Sequence, residues 1–256
     1  MADMKPDERR ERIASVVRDA SRASVDELAA MLDISHETIR RDLAVLSERG
    51  VLRKVHGGAV DFRTALESPL HDRRATARAE KLAIARRGAQ LFQPGDSIFI
   101  DSGTTTGYFA QELGKAGRFT VITNSALIAS ELSNTPAPSD VYLLGGKYSA
   151  EGQHVLGSLV VDQIAAMHAD HVVLTIGAMS QAGAAMDFNA DEAYVARAMI
   201  GSAREVTILA DSSKLERHAL FQVCQAVEVD RLVTDKAPSP GLAEILAGAG
   251  VDVVIA

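Results

Sequence analysis

Residues Ser35–Gly58 read SHETIRRDLAVLSERGVLRKVHGG. Ser35 is a good helix N-cap, because its hydroxyl can accept one of the unpaired N–H groups that open a helix. Ile39, Leu43 and Leu46 then follow at i, i+4 and i+7, the spacing of one buried helix face. With those three turned inward, Ser35, His36, Glu37, Thr38, Arg40 and Arg41 mostly face outward near the start of the helix. Gly50 ends the helix. VLRKV reads as a short strand, and HGGAV as its turn and return.

Upstream, Ser24 and Glu27 form an S-x-x-E capping box for a second helix, whose apolar side is Val25, Leu28, Ala29 and Leu32. An earlier helix carries Ile13, Val16, Val17 and Ala20 at helical spacing. The second and third helices are separated by so few residues that they must cross sharply, as in a helix-turn-helix. The start of the third helix is then placed to enter a DNA major groove. An arginine there can bond guanine bidentately or hold phosphate, and the capped helix start itself attracts phosphate. Arg53, Lys54 and His56 would form a basic wing beside it, with Gly57 and Gly58 allowing close backbone approach. An isolated arginine pair reads as a solvated basic face. The capped helix, tight turn, arginine pair and basic strand together point to double-stranded DNA as a partner.

The charge distribution limits where DNA can sit. The 256 residues carry a net charge of -7, yet residues 1–63 hold 12 basic and 12 acidic side chains. Between 40 and 58, five basic residues (Arg40, Arg41, Arg49, Arg53, Lys54) face two acidic ones (Asp42, Glu48). The anion-binding face is therefore local, and the acidic remainder repels DNA. The length suits one large domain or two ordinary ones, and 47% hydrophobic residues can build a core unaided. The one cysteine, Cys224, cannot form an internal disulfide and reads as a small core residue. The first residues show no signal-peptide pattern and no apolar run approaches a membrane span, so a cytoplasmic protein without a membrane partner is expected.

Downstream of the basic strand, the expected division is a DNA-binding domain over 1–60, a linker over 61–73 where periodicity is poor, and a second domain over 74–256. A helix carrying Ala79, Leu82, Ala83 and Arg86 should open the second domain and end near Phe92, before Pro94-Gly95. Seven β-branched runs follow among helical segments: 97–101, 119–123, 140–144, 171–176, 205–210, 231–234 and 251–255. That alternation predicts an α/β domain with a mostly parallel sheet covered on both faces. Ligands in such sheets sit at the carboxyl ends of the strands. Here those ends run into Asp101-Ser102-Gly103-Thr104-Thr105, Asn124-Ser125, Gly145-Gly146 and Asp211-Ser-Ser-Lys214. Small residues let backbone N–H groups close on an anion, threonines add donors and Lys214 adds a charge. Neither G-x-G-x-x-G nor a Walker lysine pattern is present, so no nucleotide cofactor is expected. His154, His168 and His171 form no metal-ligand pattern, and each reads as a surface or structural residue.

TIRRDLAVLSERGVLRKVHGGAV closely resembles the DNA-binding signature of the DeoR family of bacterial transcriptional regulators. The resemblance continues through HDRRATARAEKLAIA, FIDSGTTT, VITNS, LLGG and ILADSSK, over nearly the whole chain. It implies an N-terminal winged helix-turn-helix and a C-terminal α/β sensor domain resembling ribose-5-phosphate isomerase. The implied function is repression of a sugar or polyol operon, with operator binding controlled by a phosphorylated sugar or polyol. By position, Thr38, Arg40 and Arg41 match the family's recognition-helix core, and His56, Gly57 and Gly58 its wing. His36 and Glu37 fall where members vary. Asp101, Ser102, Gly103, Thr104, Thr105, Asn124, Ser125, Gly146 and Lys214 match its effector pocket. MDFNADEAYVARAMI is closer to the subgroup that includes glycerol-3-phosphate regulon repressors, and there Asp187, Asn189 and Glu192 could meet ligand hydroxyls. Asp187 and Asn189 equally read as ordinary turn and cap residues before the helix. The segment LERHALF after Lys214 departs from relatives that have Phe-Gly at that point.

The alternative is a sugar-phosphate isomerase-like enzyme with an accessory DNA-binding domain. Asp101, Asp211 or Glu192 could supply a carboxylate base, but no pair dedicated to proton shuttling stands out. A protein-interaction module would leave the arginine helix and the polar strand ends unexplained. A winged domain grips one half-site, so a homodimer or homotetramer is expected.

Overall fold

The computed structural model describes residues 6–20, 22–55, 57–61, 70–135 and 138–256. The chain divides into two compact units, Met1–Ser68 and Pro69–Ala256.

The first unit runs α1 (Pro6–Ala20), β1 (Arg22–Ser24), α2 (Val25–Leu32), α3 (His36–Glu48), β2 (Leu52–Val55) and β3 (Gly58–Asp61). The capping box expected at α2 is formed: Ser24 Oγ accepts the Glu27 N–H, and Glu27 reaches back to the Ser24 N–H at 2.7 Å. Ile13, Val17, Val25, Leu28, Ile39, Leu43, Leu46 and Leu52 close a common core. The three strands pair antiparallel in the order β1-β3-β2, so the wing hairpin is anchored by a strand at 22–24 that periodicity does not reveal.

The second unit begins with α4 (Leu70–Ala75), α5 (Arg78–Ala89), β4 (Ser97–Ile100), α6 (Thr104–Ala116), β5 (Thr120–Thr123), α7 (Ala126–Ser133) and β6 (Asp140–Leu143). It continues through β7 (Lys147–Ser149), β8 (His154–Leu156), α8 (Ser158–Ala165), β9 (Ala169–Thr175), β10 (Ala178–Met179) and β11 (Ala185–Asp187). α9 (Ala190–Gly201), β12 (Ala203–Leu209), β13 (Phe221–Cys224), β14 (Arg231–Thr234), α10 (Pro240–Gly248) and β15 (Asp252–Ile255) complete it. The seven strands expected from β-branched runs form one parallel sheet, ordered β15-β14-β12-β9-β4-β5-β6. Period two sorts its side chains. Phe99, Val172, Leu174, Val206 and Ile208 share one core with α8, α9 and α10. Ile98, Ile100, Val121, Val173 and Leu209 share the other with α5, α6 and α7. Cys224 is buried, as a small core residue would be.

The linker expectation needs correction. Of residues 61–73, 62–69 lie outside the described residues, and 70–73 belong to α4. This helix is too short to show a period. Tertiary contacts fix it: Leu70 is buried, Tyr108 Oη donates to the Arg74 carbonyl at 3.1 Å, and Lys81 Nζ donates to the Arg73 carbonyl at 2.7 Å. The helix expected to end near Phe92 ends at Ala89.

The chain enters the large sheet in its middle. From β4 it builds outward to β5 and β6, then returns to the other side of β4 with β9 and builds outward through β12, β14 and β15. The order reverses between β4 and β9, which opens a crevice beyond their carboxyl ends.

Candidate functional site

The outward face of α3 is built as the sequence implies. Ser35 Oγ accepts the Thr38 N–H at 3.3 Å and lies 2.9 Å from Thr38 Oγ1. His36, Glu37, Arg40 and Arg41 are exposed and Thr38 is half-buried. Arg41 Nε donates to Glu37 Oε1 at 3.1 Å, one turn back, and His36 Nε2 lies 3.1 Å from Asp26 Oδ1 on α2. Asp42 turns the other way. It is 1% exposed and accepts Arg10 Nε at 2.8 Å and Arg9 Nε, both from α1. One of the two acidic residues in the 40–58 strip is thus consumed inside the unit, leaving the outer face more basic than its composition suggests.

On the wing, Lys54 is exposed. His56 and the Arg53 side chain lie outside what the structure describes. Gly57 is exposed with φ +76°, a left-handed turn conformation that favours glycine. The expectation for Gly58 is corrected. It is buried, and a Cβ there would lie 2.3 Å from the Ala23 carbonyl oxygen. Its missing side chain lets β3 approach β1, and it offers no surface to DNA.

The second cluster lies at the β4–β9 crevice. Asp101 follows β4 and accepts the Thr175 N–H, at the end of β9, at 3.1 and 3.2 Å on its two oxygens. Burial holds its carboxyl well above the usual carboxylate range; the Thr175 N–H opposes this, and the carboxylates of Asp187 and Glu192 reinforce it. Those three acids therefore share one neighbourhood. Gly103 opens α6 as an N-cap without a capping side chain, and a Cβ there would come within 2.2 Å of Thr175 Cγ2. Only glycine lets the first turn of α6 come so close to β9. Thr104 and Thr105 are buried in that turn.

Asn124 and Ser125 follow β5, the next strand over. Asn124 donates from Nδ2 to the Val155 carbonyl at 3.1 Å and receives the Val155 N–H on its main-chain oxygen at 2.9 Å. Its Oδ1 is buried without a hydrogen-bond partner. Ser125 caps α7. Asp187 Oδ1 accepts the N–H groups of Phe188 and Asn189, and Asn189 caps α9, with half-buried Glu192 in its first turn. Half-buried Lys214 ends the 3-10 turn after β12, two strands from β4 on the same edge of the sheet. Gly146 lies at the exposed foot of the β7–β8 hairpin, where a Cβ would meet Val160 and Val155, the latter bonded to Asn124.

Sequence reasoning missed His154. It is not a surface residue: it is 7% exposed, with Nδ1 2.8 Å from Ser102 Oγ. The two lie 52 positions apart on unrelated segments, and nothing in the sequence links them. His171 is partly buried, packed edge-on against Phe92 and facing Asp96 and Glu205, a structural setting.

Two family models match the chain: the DeoR-like helix-turn-helix domain over residues 9–64 and the DeoR C terminal sensor domain over 76–236. The chain belongs to the DeoR family. This DeoR-family chain is 30% identical over 247 residues to the HTH-type transcriptional repressor CsqR of Escherichia coli (strain K12), covering 96% of this chain and 94% of that one. It is 34% identical over 235 residues to the glycerol-3-phosphate regulon repressor of Haemophilus influenzae, covering 92% and 91%. Among solved structures, ribose 5-phosphate isomerase A from Methanocaldococcus jannaschii matches 55% of each chain at 16% identity and a TM-score of 0.40. The DeoR-family chain is a DNA-binding transcriptional regulator with a sensor domain. Among its described residues no helix is long and apolar enough to cross a membrane.

Proposed function

We propose that this regulator represses a sugar or polyol catabolic operon from the cytoplasm, and that a phosphorylated sugar or polyol controls its hold on operator DNA. Ser35, His36, Glu37, Thr38, Arg40 and Arg41 meet the major groove, with Arg53, Lys54, His56 and Gly57 beside them on the wing. The protein acts as a homodimer or homotetramer, because each winged unit grips one half-site. Residues 1–60 are the DNA-binding domain and 74–256 the sensor.

The observation that carries the effector reading is the start of α6: a helix N-terminus with no capping side chain, at the point where the strand order reverses. The N–H groups that open a helix have no partner within it, and they favour an anion. Ser102, Gly103, Thr104, Thr105 and Lys214 hold the phosphate, and Asn124 and Ser125 line the neighbouring strand end. Asp101, Asp187 and Glu192 lie together and suit ligand hydroxyls. An isomerase would need a mobile carboxylate pair. Here Asp101 is tied to the Thr175 N–H and Asp211 Oδ1 accepts the Ser213 N–H and hydroxyl, which leaves Glu192, one of the three candidate bases and not a pair. We therefore read the protein as a sensor and not an enzyme.

A thermal-shift screen with glycerol 3-phosphate, ribose 5-phosphate and their unphosphorylated forms tests this. Stabilisation by a phosphate ester without turnover, weakened in Lys214→Ala and Thr105→Val, is the expected result. Equal binding of phosphorylated and unphosphorylated forms, or turnover, would remove the reading.

A further inference from the structure

His154 is held by three segments at once. The β7–β8 hairpin is joined to the end of β5 by the Val155–Asn124 pair, and the Ala126 N–H donates to the Gln153 carbonyl at 3.0 Å. Its turn contains Gln153 in the left-handed region, at φ +51°. Gly152 makes room for the imidazole, since a Cβ there would lie 2.5 Å from both Cε1 and Nε2. The ring so fixed presents Nδ1 to Ser102 Oγ at 2.8 Å, and Ser102 immediately precedes the glycine that opens α6.

We propose that His154 is a positioning residue for the effector anion, acting through Ser102. One proton lies between Nδ1 and Oγ. If the hydroxyl donates to an unprotonated Nδ1, it has no proton left to give an anion at the start of α6. If Nδ1–H donates to Oγ, the hydroxyl proton is released toward the anion, and Ser102 becomes a donor beside the helix N–H groups. Anion binding therefore selects the His154 state with a proton on Nδ1. That state arises either by shifting the proton from Nε2 or by taking one from solvent to give the imidazolium; both put the same N–H on Oγ. The phosphate thus meets a hydroxyl that the hairpin has oriented.

This rests on the phosphate-ester reading above, and the test separates the two. Binding of glycerol 3-phosphate, ribose 5-phosphate and inorganic phosphate is measured calorimetrically on the full chain. His154→Phe should weaken the best-bound of the three by about tenfold, the size expected for one hydrogen bond to a charged group. His154→Asn, whose side-chain N–H2 can take the place of Nδ1–H, should restore most of it. Ser102→Ala should cost a similar factor, and adding His154→Phe to it should cost little more, because both remove one coupled unit. Independently of any variant, the Nδ1 nitrogen resonance of His154 in the wild-type chain should move to the protonated range when the anion is added. An unprotonated Nδ1 in the loaded protein, or losses that simply add in the double variant, would overturn the role of His154 and leave the sensor reading intact. If the wild-type chain binds none of the three probes, the sensor reading falls and this proposal with it.

Discussion

Arg10 on α1 donates to Asp42 on α3 at 2.8 Å, so the residue immediately after Arg41 points into the protein while Arg41 points out. Arg9 grips the other oxygen of the same carboxylate. The first helix therefore sets how α3 is rolled, and with it the direction of the arginine pair. Asp42→Ala should lower stability to denaturant by about 2–3 kcal/mol, below the usual cost of breaking a buried pair because both arginines reach solvent. Chemical unfolding followed by circular dichroism measures this, and a loss under half a kilocalorie would separate the ion pair from the placing of α3.

On the exposed side, Arg41→Ala or Arg40→Ala should weaken operator binding by about 1–3 kcal/mol where the residue reads a base. Where it holds a phosphate, the slope of affinity against salt should fall instead. Glu37→Gln frees Arg41 from its partner one turn back and should strengthen nonspecific DNA binding, most visibly at low salt. Salt titrations of binding distinguish these outcomes; an unchanged double arginine variant with an intact fold would remove α3 from the interface.

The adjacent glycines of the wing should respond differently to alanine. Gly57→Ala meets no atom within 4 Å and pays only for its left-handed conformation, about 1–2 kcal/mol. Gly58→Ala drives a methyl group into the Ala23 carbonyl, and the strands must part at a cost of about 2–3 kcal/mol. Thermal unfolding should rank Gly58→Ala as the more damaging. The reverse order would mean that β1 does not hold the wing.

Asp101 gives a pH dependence of definite sign. Its folded-state carboxyl titrates above the ordinary value of 3.8, chiefly because it is buried. Below the unfolded value both states are protonated and the group costs nothing. As pH rises, the unfolded chain ionises first, and stability is lost progressively until the folded carboxyl ionises too. Asp101→Asn keeps an oxygen for the Thr175 N–H and removes the titration. The variant should gain thermal stability over wild type as pH is raised above the unfolded carboxyl's ordinary value of 3.8, with the two nearly matched below it. A difference that does not change with pH would contradict the burial argument.

Much of this architecture is legible in the residues. The seven β-branched runs became the seven parallel strands: the inner ones, such as β4, β5, β9 and β12, are apolar because both faces are covered, and the partly exposed edge strands β6 and β15 keep the β-branched and aromatic residues that suit a pleated surface. Ser24, Ser35 and Asn189 capped the helices they precede because capping is a local event. What could not be read depends on distant partners. KYS, HVL, AM and RAS become strands only because something antiparallel lies beside them. α4 exists because Leu70 finds a buried place and Tyr108 and Lys81 bond its carbonyls. The site behaves likewise: Asp101, Ser102 and Gly103 announce themselves as a strand end, whereas His154 enters only through a hairpin that folds back from another part of the chain.

The order in which the sheet is laid down sets a sequence of events during synthesis. The winged unit closes its core within the first sixty-odd residues, but the Asp101–Thr175 link waits for β9, and Lys214 comes later still. At about 5–20 residues per second, translation from Asp61 to Lys214 takes roughly eight to thirty seconds. Through that interval the growing chain already carries its arginine helix, while the anion cradle is incomplete: β9 is finished only at Thr175 and Lys214 comes last. A nascent regulator thus completes its winged unit before its sensor can respond to any effector.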